Sequence, residues 1–274
     1  MTLDILIATY GNQGIIRVSQ MTLPPLSGVR YIVSWQIPRG EVPGQIPDSL
    51  KRKDIDIYSH FSTGVSRNRN FALSKATADY CLISDDDLIY TEESIRHLFD
   101  IFKDNPSVDI FAFKAECQME RNMPSYSFDL RHPPRFYWPL EFEIAFNLES
   151  IRHHKVRFNE LFGRNAPILQ SGEIAVFLHQ AFKRNMTGRY FPLSLCSHPN
   201  PTTMEHMALN EGVIMAHGAS IALIYPVTWF PRIIVNAYRR SRHLDTSFPQ
   251  MLKLMLKGCI YRYRHISSDG SERR

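Results

Sequence analysis

Tyr80-Cys81-Leu82-Ile83-Ser84-Asp85-Asp86-Asp87 is a short apolar run that ends in three consecutive carboxylates. A run of this length reads as a buried strand. Adjacent carboxylates repel and raise one another's pKa, so the fold must bring something positive to them. Alternate residues of an extended segment share a side, which places Asp85 and Asp87 toward the strand-end crevice and turns Asp86 elsewhere. Hard oxygen donors in small number suit a divalent cation, Mg²⁺ or Mn²⁺, bridging to phosphates. The competing reading is an acidic turn that caps the next helix.

Outward from this stretch, strands and helices alternate. Residues 3–9 (Leu-Asp-Ile-Leu-Ile-Ala-Thr) form an apolar run that leads through Tyr10-Gly11-Asn12 into a helical segment from about Gly14 to Met21. Residues 29–35 are β-branched and aromatic, and Ile55-Asp56-Ile57-Tyr58 is a further short strand. Gly64-Val65-Ser66 opens a helix with Ser66 in the position of an N-cap. Thr91-Glu92-Glu93-Ser94 opens another that stops near Asn105-Pro106, before a strand at 108–113. This alternation predicts an α/β fold with an open, largely parallel sheet, and ligands beyond the carboxyl ends of its strands. Residues 141–151 alternate like a strand, 171–185 read as a helix, and Arg189-Tyr190-Phe191 begins a strand toward Cys196-Ser197-His198.

The chain has 274 residues, enough for one large domain or a domain with an appendage. Its four cysteines lie apart without a C-x-x-C pair, which fits a reducing cytosol, and no basic-flanked apolar leader opens the sequence. The net charge of +5 is unevenly placed. Residues 232–274 carry ten Lys or Arg against three acids, leaving the rest at −2. That placement argues against a nucleic-acid partner, whose binding domain would carry the charge across its body. Basic residues mixed with Met251, Leu252, Leu254, Met255, Leu256, Tyr261 and Tyr263 suit peripheral contact with an anionic membrane, at the inner face for a cytoplasmic protein. A solvated basic helix end is the alternative. Residues 212–230 are apolar but interrupted by His217 and Pro226, so two packed or interfacial helices fit better there than a membrane span.

Helix starts favour anions, which makes Arg67 and Arg69 plausible partners of a diphosphate or base. The strand ending in Thr9-Tyr10, the segment Gly64-Val65-Ser66-Arg67-Asn68-Arg69-Asn70 and Ser84-Asp85-Asp86-Asp87 together resemble the family 2 glycosyltransferases of GT-A fold, of the kind found in bacterial surface-polysaccharide synthesis. The resemblance runs over roughly residues 3–203, through Phe158-Asn159-Glu160-Leu161-Phe162-Gly163, Ser171-Gly172-Glu173 and His198-Pro199. It implies a mixed, mostly parallel sheet in a GT-A domain at 1–208, with a nucleotide-binding half at about 1–115 and an acceptor half at about 116–208. A helical basic extension at 209–274 follows.

The resemblance also implies inverting transfer of a sugar from a nucleotide-sugar donor, a UDP-sugar first, to a glycan or lipid-linked glycan acceptor. Thr9, Tyr10, Arg67, Arg69, Asp85 and Asp86 would bind the donor. Asp87 and Asp85 would ligate the metal through the DxD motif, and His198 would complete its shell. His198 before a proline also reads as a structural loop residue. Related enzymes carry a longer acidic run where this chain has Ser171-Gly172-Glu173-Ile174-Ala175, so Glu173 is the one candidate for the general base. An ordinary helix N-terminal glutamate is its competing reading.

The proline-rich stretch 116–139, with Tyr126, Phe136, Tyr137 and Trp138, is the place for acceptor contacts, with core packing as the alternative. Two rival functions are a sugar nucleotidyltransferase, which should carry a basic residue directly after the first strand, and a weakened transferase that binds donor without turnover.

Overall fold

Leu3–Tyr10 (β1), Val29–Ile37 (β2), Ile55–Phe61 (β3) and Tyr80–Ser84 (β4) are parallel strands in the computed structural model of the chain. The structure describes residues 1–117, 121, 123–135, 137–198 and 209–273. Gly11–Gln20 (α1), Val65–Lys75 (α2) and Glu92–Asp104 (α3) complete the β/α alternation. β1 and β2 are buried along nearly their whole length, as strands covered on both faces must be. α3 shows why its boundaries were readable: Thr91 Oγ1 accepts from Ser94 N at 3.1 Å, Glu92 and Glu93 occupy the positive end, and Lys103 the negative one.

Ile110–Cys117 (β5), Phe128–Asp129 (β6), Ile144–Asn147 (β7), Leu148–His153 (α4), Glu173–Lys183 (α5) and Gly188–His198 (β8) follow. Among the described residues the sheet has eight strands in the order β3-β2-β1-β4-β7-β5-β8-β6. β7 runs antiparallel to both β4 and β5, and β6 antiparallel to β8, so the sheet is mixed and mostly parallel. The alternation at 141–151 belongs to three elements, a 3-10 turn at Glu141–Glu143, β7 and α4, not to one strand. Asn147 ends β7 and caps α4, its side chain accepting from Ser150 N at 2.9 Å.

The chain divides into two compact units. The first holds 1–63, 68–156 and the chain from Arg184 through β8, hence the entire sheet. Its core stacks Tyr80 on Phe102 at 4.1 Å, with Phe111 edge-on to both. The second holds Gly64–Arg67, Arg157–Lys183 and the C-terminal helices Glu211–Ile224 (α6), Trp229–His243 (α7) and Phe248–His265 (α8).

α6 and α8 meet at two glycines. A methyl group at Gly218 would overlap the carbonyl oxygen of Met255, and one at Gly258 that of Met215. The apolar residues expected on a membrane-facing tail are largely spent here. Met251, Leu254 and Met255 are buried with Ile214, Ala222 and Ile233, Leu252 and Leu256 pack against them, and Tyr261 packs on a second cluster. The segment 212–230 is shared by α6 and the start of α7, and among the described residues no helix is long and apolar enough to cross a membrane.

Candidate functional site

The parallel pairing of β1 with β4 builds the site. Register runs from Leu3 opposite Tyr80 to Ile7 opposite Ser84, so two residues farther on Thr9 comes level with Asp86. Thr9 Oγ1 donates to Asp86 Oδ2 at 2.5 Å, and Arg17, from α1, donates to the same carboxylate at 2.7 and 3.0 Å. Asp86 is therefore not turned away from the strand ends. β4 stops at Ser84 and the chain then turns, so the period of two no longer governs the three aspartates.

Each aspartate meets a different neighbour. Asp85 accepts from Arg69 Nη2 at 2.9 Å, with the arginine buried. Asp87 lies 3.4 Å from His198 Nε2, at the end of β8. The like-charge cost of the triplet is thus met by at least one cation or hydrogen-bond partner per carboxylate, and by two at Asp86.

Electrostatics separate the three. Burial pushes the Asp86 carboxyl up, against the opposing pull of the Arg17 and Thr9 hydrogen bonds. Burial acts the same way on Asp87, but the hydrogen bond and charge of His198, with Arg17 behind, outweigh it and hold Asp87 below the usual carboxylate range. Asp87 is accordingly kept ionised. The Arg17 guanidinium is raised by its hydrogen bond to Asp86.

Residues that the sequence did not single out fix this arrangement. Asn68 Nδ2 donates to Thr9 O at 2.9 Å while its Oδ1 accepts from Ser34, so α2, β1 and β2 are pinned together behind the site. Trp35 Nε1 donates to Gly11 O at 2.9 Å, and Glu41 accepts from Asn12 N at 2.9 Å, holding the turn after β1. Gly11 has φ +67°, a left-handed turn that glycine adopts freely. Gly14 has a different duty: a Cβ there would overlap Thr9 Oγ1 and stand 3.3 Å from Asp86 Oδ2. A signal for Arg17 was present, since it lies one helical turn beyond Gly14 on the strand-end side of α1. A lone helix arginine carries little information by itself.

Tyr10, the last residue of β1, is exposed at the rim. Thr9, Arg69, Asp85, Asp86, Asp87 and His198 thus converge in the first unit, with Tyr10 beside them.

Arg67 and Glu173 belong to the second unit. Arg67 is exposed and donates to Glu160 at 2.8 Å. Ser66 does not cap α2, which already begins at Val65; its hydroxyl donates to Phe162 O at 2.6 Å. Glu173 is buried at the first turn of α5, beside the tight turn at Gly163, where φ is +106° and a Cβ would lie 3.1 Å from both Glu173 Cδ and Ser66 Oγ.

In the stretch 116–139, Tyr126 and Trp138 are exposed, whereas Tyr137 packs edge-on against Phe128 and Tyr190. Phe136 lies outside the described residues, as does Pro199. Arg121 anchors the stretch through a buried pair with Glu143 at 2.5 and 2.9 Å.

Among the described residues no group of three or more His, Cys, Asp or Glu side chains forms a ready metal cage. Asp87 and His198 nevertheless offer one ionised carboxylate and one imidazole at the strand ends. That partial set fits a cation whose remaining ligands are phosphate oxygens and water.

A mixed sheet with this order, and acidic residues at the joint end of β1 and β4, define a GT-A-type α/β protein. Residues 49–166 match the model of glycosyl transferase family 2. Solved structures agree on the fold. S. aureus TarS 1-349 in complex with UDP-GlcNAc is similar with a TM-score of 0.57 at 15% identity, covering 90% of this chain and 74% of that one. A second structure of TarS 1-349 gives 0.55 at 16% identity, covering 81% and 66%. A mycobacterial protein gives 0.51 at 16% identity, covering 80% and 74%. The chain spans 44% of the longer TarS structure. No curated protein matches.

Proposed function

We propose that this protein moves a sugar from a nucleotide-sugar donor, a UDP-sugar, to a glycan or lipid-linked glycan acceptor, with inversion and with a divalent metal. The observation that carries the reading is the convergence of Thr9, Arg69 and His198 on Asp85, Asp86 and Asp87 at the ends of β1, β4 and β8. The family match and the likeness to TarS solved with UDP-GlcNAc support the donor class. Tyr10 offers an exposed ring for the base, and Arg69 and Arg17 provide positive potential for the diphosphate. Asp87 with His198, and Asp85 beside them, would hold Mn²⁺ or Mg²⁺, which when bound supplies charge neutralisation for the departing diphosphate.

Transfer is then a single displacement. The acceptor hydroxyl oxygen forms a bond to the anomeric carbon as the bond from that carbon to the diphosphate oxygen breaks. The hydroxyl proton passes to a carboxylate, which we assign to Glu173. Tyr126 and Trp138 are exposed aromatic faces suited to acceptor sugar rings.

A binder without turnover is the second reading, favoured by Ile174 and Ala175, which are buried apolar residues where the resemblance to family 2 enzymes implies further acids. The first rival, a nucleotidyltransferase, is expected to carry a basic residue directly after β1, and Gly11-Asn12-Gln13-Gly14 has none.

Screening nucleotide sugars with Mn²⁺ or Mg²⁺ for thermal stabilisation, followed by donor turnover, separates these readings. A true donor at 100 times its Kd should stabilise the fold by about 2.7 kcal/mol. Asp87→Ala should abolish the metal dependence of that stabilisation. Glu173→Gln should keep binding and lower turnover by roughly 10²–10⁴-fold. Unchanged turnover in Glu173→Gln would remove the base assignment. Binding without any turnover in the wild type would favour the second reading.

A further inference from the structure

We propose that one face of α7 docks on the surface of a bilayer rich in anionic lipid. At about 100° per residue, α7 presents three stripes. Ile233, Ala237 and Ser241 recur every fourth residue and are buried among the helices of the second unit. Phe230, Ile234 and Tyr238 form the next stripe, with Val235 beside it and Val227 in the turn before. These are 52%, 37%, 58%, 49% and 92% exposed, values that leave the stripe open to solvent. Arg232, Arg239 and Arg242, all exposed, border it.

A helix on a protein surface ordinarily shows polar residues to water. α7 shows an apolar band instead, and from Tyr225 to Leu244 it carries four arginines and no acid. An apolar stripe bordered by guanidinium groups is the arrangement of a helix lying in the plane of a membrane interface. There the apolar side chains enter the acyl boundary and the cations meet anionic headgroups.

Charge decides between occupants. A second copy docking through the same face would set its three bordering arginines against these three, and like charges across an interface oppose association. An anionic bilayer complements them. Met251, Leu254, Met255 and Cys259 of α8 cannot serve in the same way because they are already packed inside the second unit.

The test is cosedimentation of the full chain with vesicles of phosphatidylcholine alone and of phosphatidylcholine with about a third phosphatidylglycerol. The wild type should pellet with the anionic vesicles, weakly with the neutral ones, and be released by salt. Ile234→Glu with Tyr238→Glu should weaken binding more than about tenfold. Arg239→Ser with Arg242→Ser should weaken it roughly 25-fold, at about fivefold per charge. Circular dichroism and melting like the wild type would show that these surface variants fold. Wild-type protein that stays in the supernatant with anionic vesicles overturns the proposal, as does equal binding to both vesicles without salt dependence. A concentration-dependent dimer that the Ile234→Glu, Tyr238→Glu variant dissolves would assign the face to a second copy instead, and also overturns it.

Discussion

Gly14 is the smallest residue at the site and the one with least room. Alanine there would gain about 1 kcal/mol in helix propensity. Its methyl group would also overlap Thr9 Oγ1, and overpacking of this kind costs about 1–3 kcal/mol. Overlap should win, because Thr9 is held by Asp86 and its backbone by Asn68. Gly14→Ala should therefore melt a few degrees lower than the wild type, about 2–4 °C per kcal/mol. It should also bind UDP about tenfold less tightly by calorimetry, the equivalent of about 1.4 kcal/mol. A variant with wild-type melting and binding would show that the Thr9 to Asp86 contact gives way freely.

At this scale the sequence announced the aspartates, because three acids after an apolar strand are electrostatically conspicuous. Asn68 and Ser34 stayed silent, and Arg17 gave only a weak signal. Their importance comes from register and from which strand lies next to which, and single residue types do not encode that.

Among elements, the strands and α3 were legible because apolar runs and capping residues are local signals. β7 and α4 were not. A four-residue antiparallel strand that passes directly into a helix blends two periods, and only the pairing with β4 and β5 reveals it. The helical C-terminal region was legible as helices, but the partners of its apolar residues were not, since helical spacing does not say which face is covered.

The crossing of α6 and α8 is the tightest element contact in the second unit. Gly218→Ala would drive a methyl group into the Met255 carbonyl, which belongs to helix backbone and cannot swing aside as a flexible side chain could. It should cost about 2–3 kcal/mol in denaturant unfolding. A change within a few tenths of a kcal/mol would mean that the helices slide apart readily.

At the scale of the whole molecule, stability should depend on acid through His217 in α6. Burial, with a smaller contribution from Arg240, pushes its imidazole down to about 3. In the unfolded chain a histidine titrates near 6.5, so between those values the unfolded state holds a proton that the native state refuses. Stability is therefore full above about pH 6.5 and declines as pH falls toward 3. The steepest loss from one such group is about 1.4 kcal/mol per pH unit. Asp87, held low, loses its contribution only at more acid pH, so between pH 7 and pH 5 the loss comes from imidazoles that burial pushes down, His217 together with His179. His217→Gln should lose less stability than the wild type over that interval in chemical denaturation. Equal losses would refute the assignment.

The division of the chain adds a constraint of timing. The sheet closes with β8, yet residues 157–183 of the second unit are synthesised before it. At about 5–20 residues per second, several seconds separate the emergence of β7 from that of β8. During that interval β5 lacks its parallel neighbour and Asp87 lacks His198. A nascent chain stalled before residue 184 would display an unpaired strand edge, the surface that chaperones recognise, and half of its candidate metal pair. The last strand to leave the ribosome thus completes both the sheet and the site, so acquisition of ligand-binding competence should report on closure of the first unit, before α6, α7 and α8 have emerged.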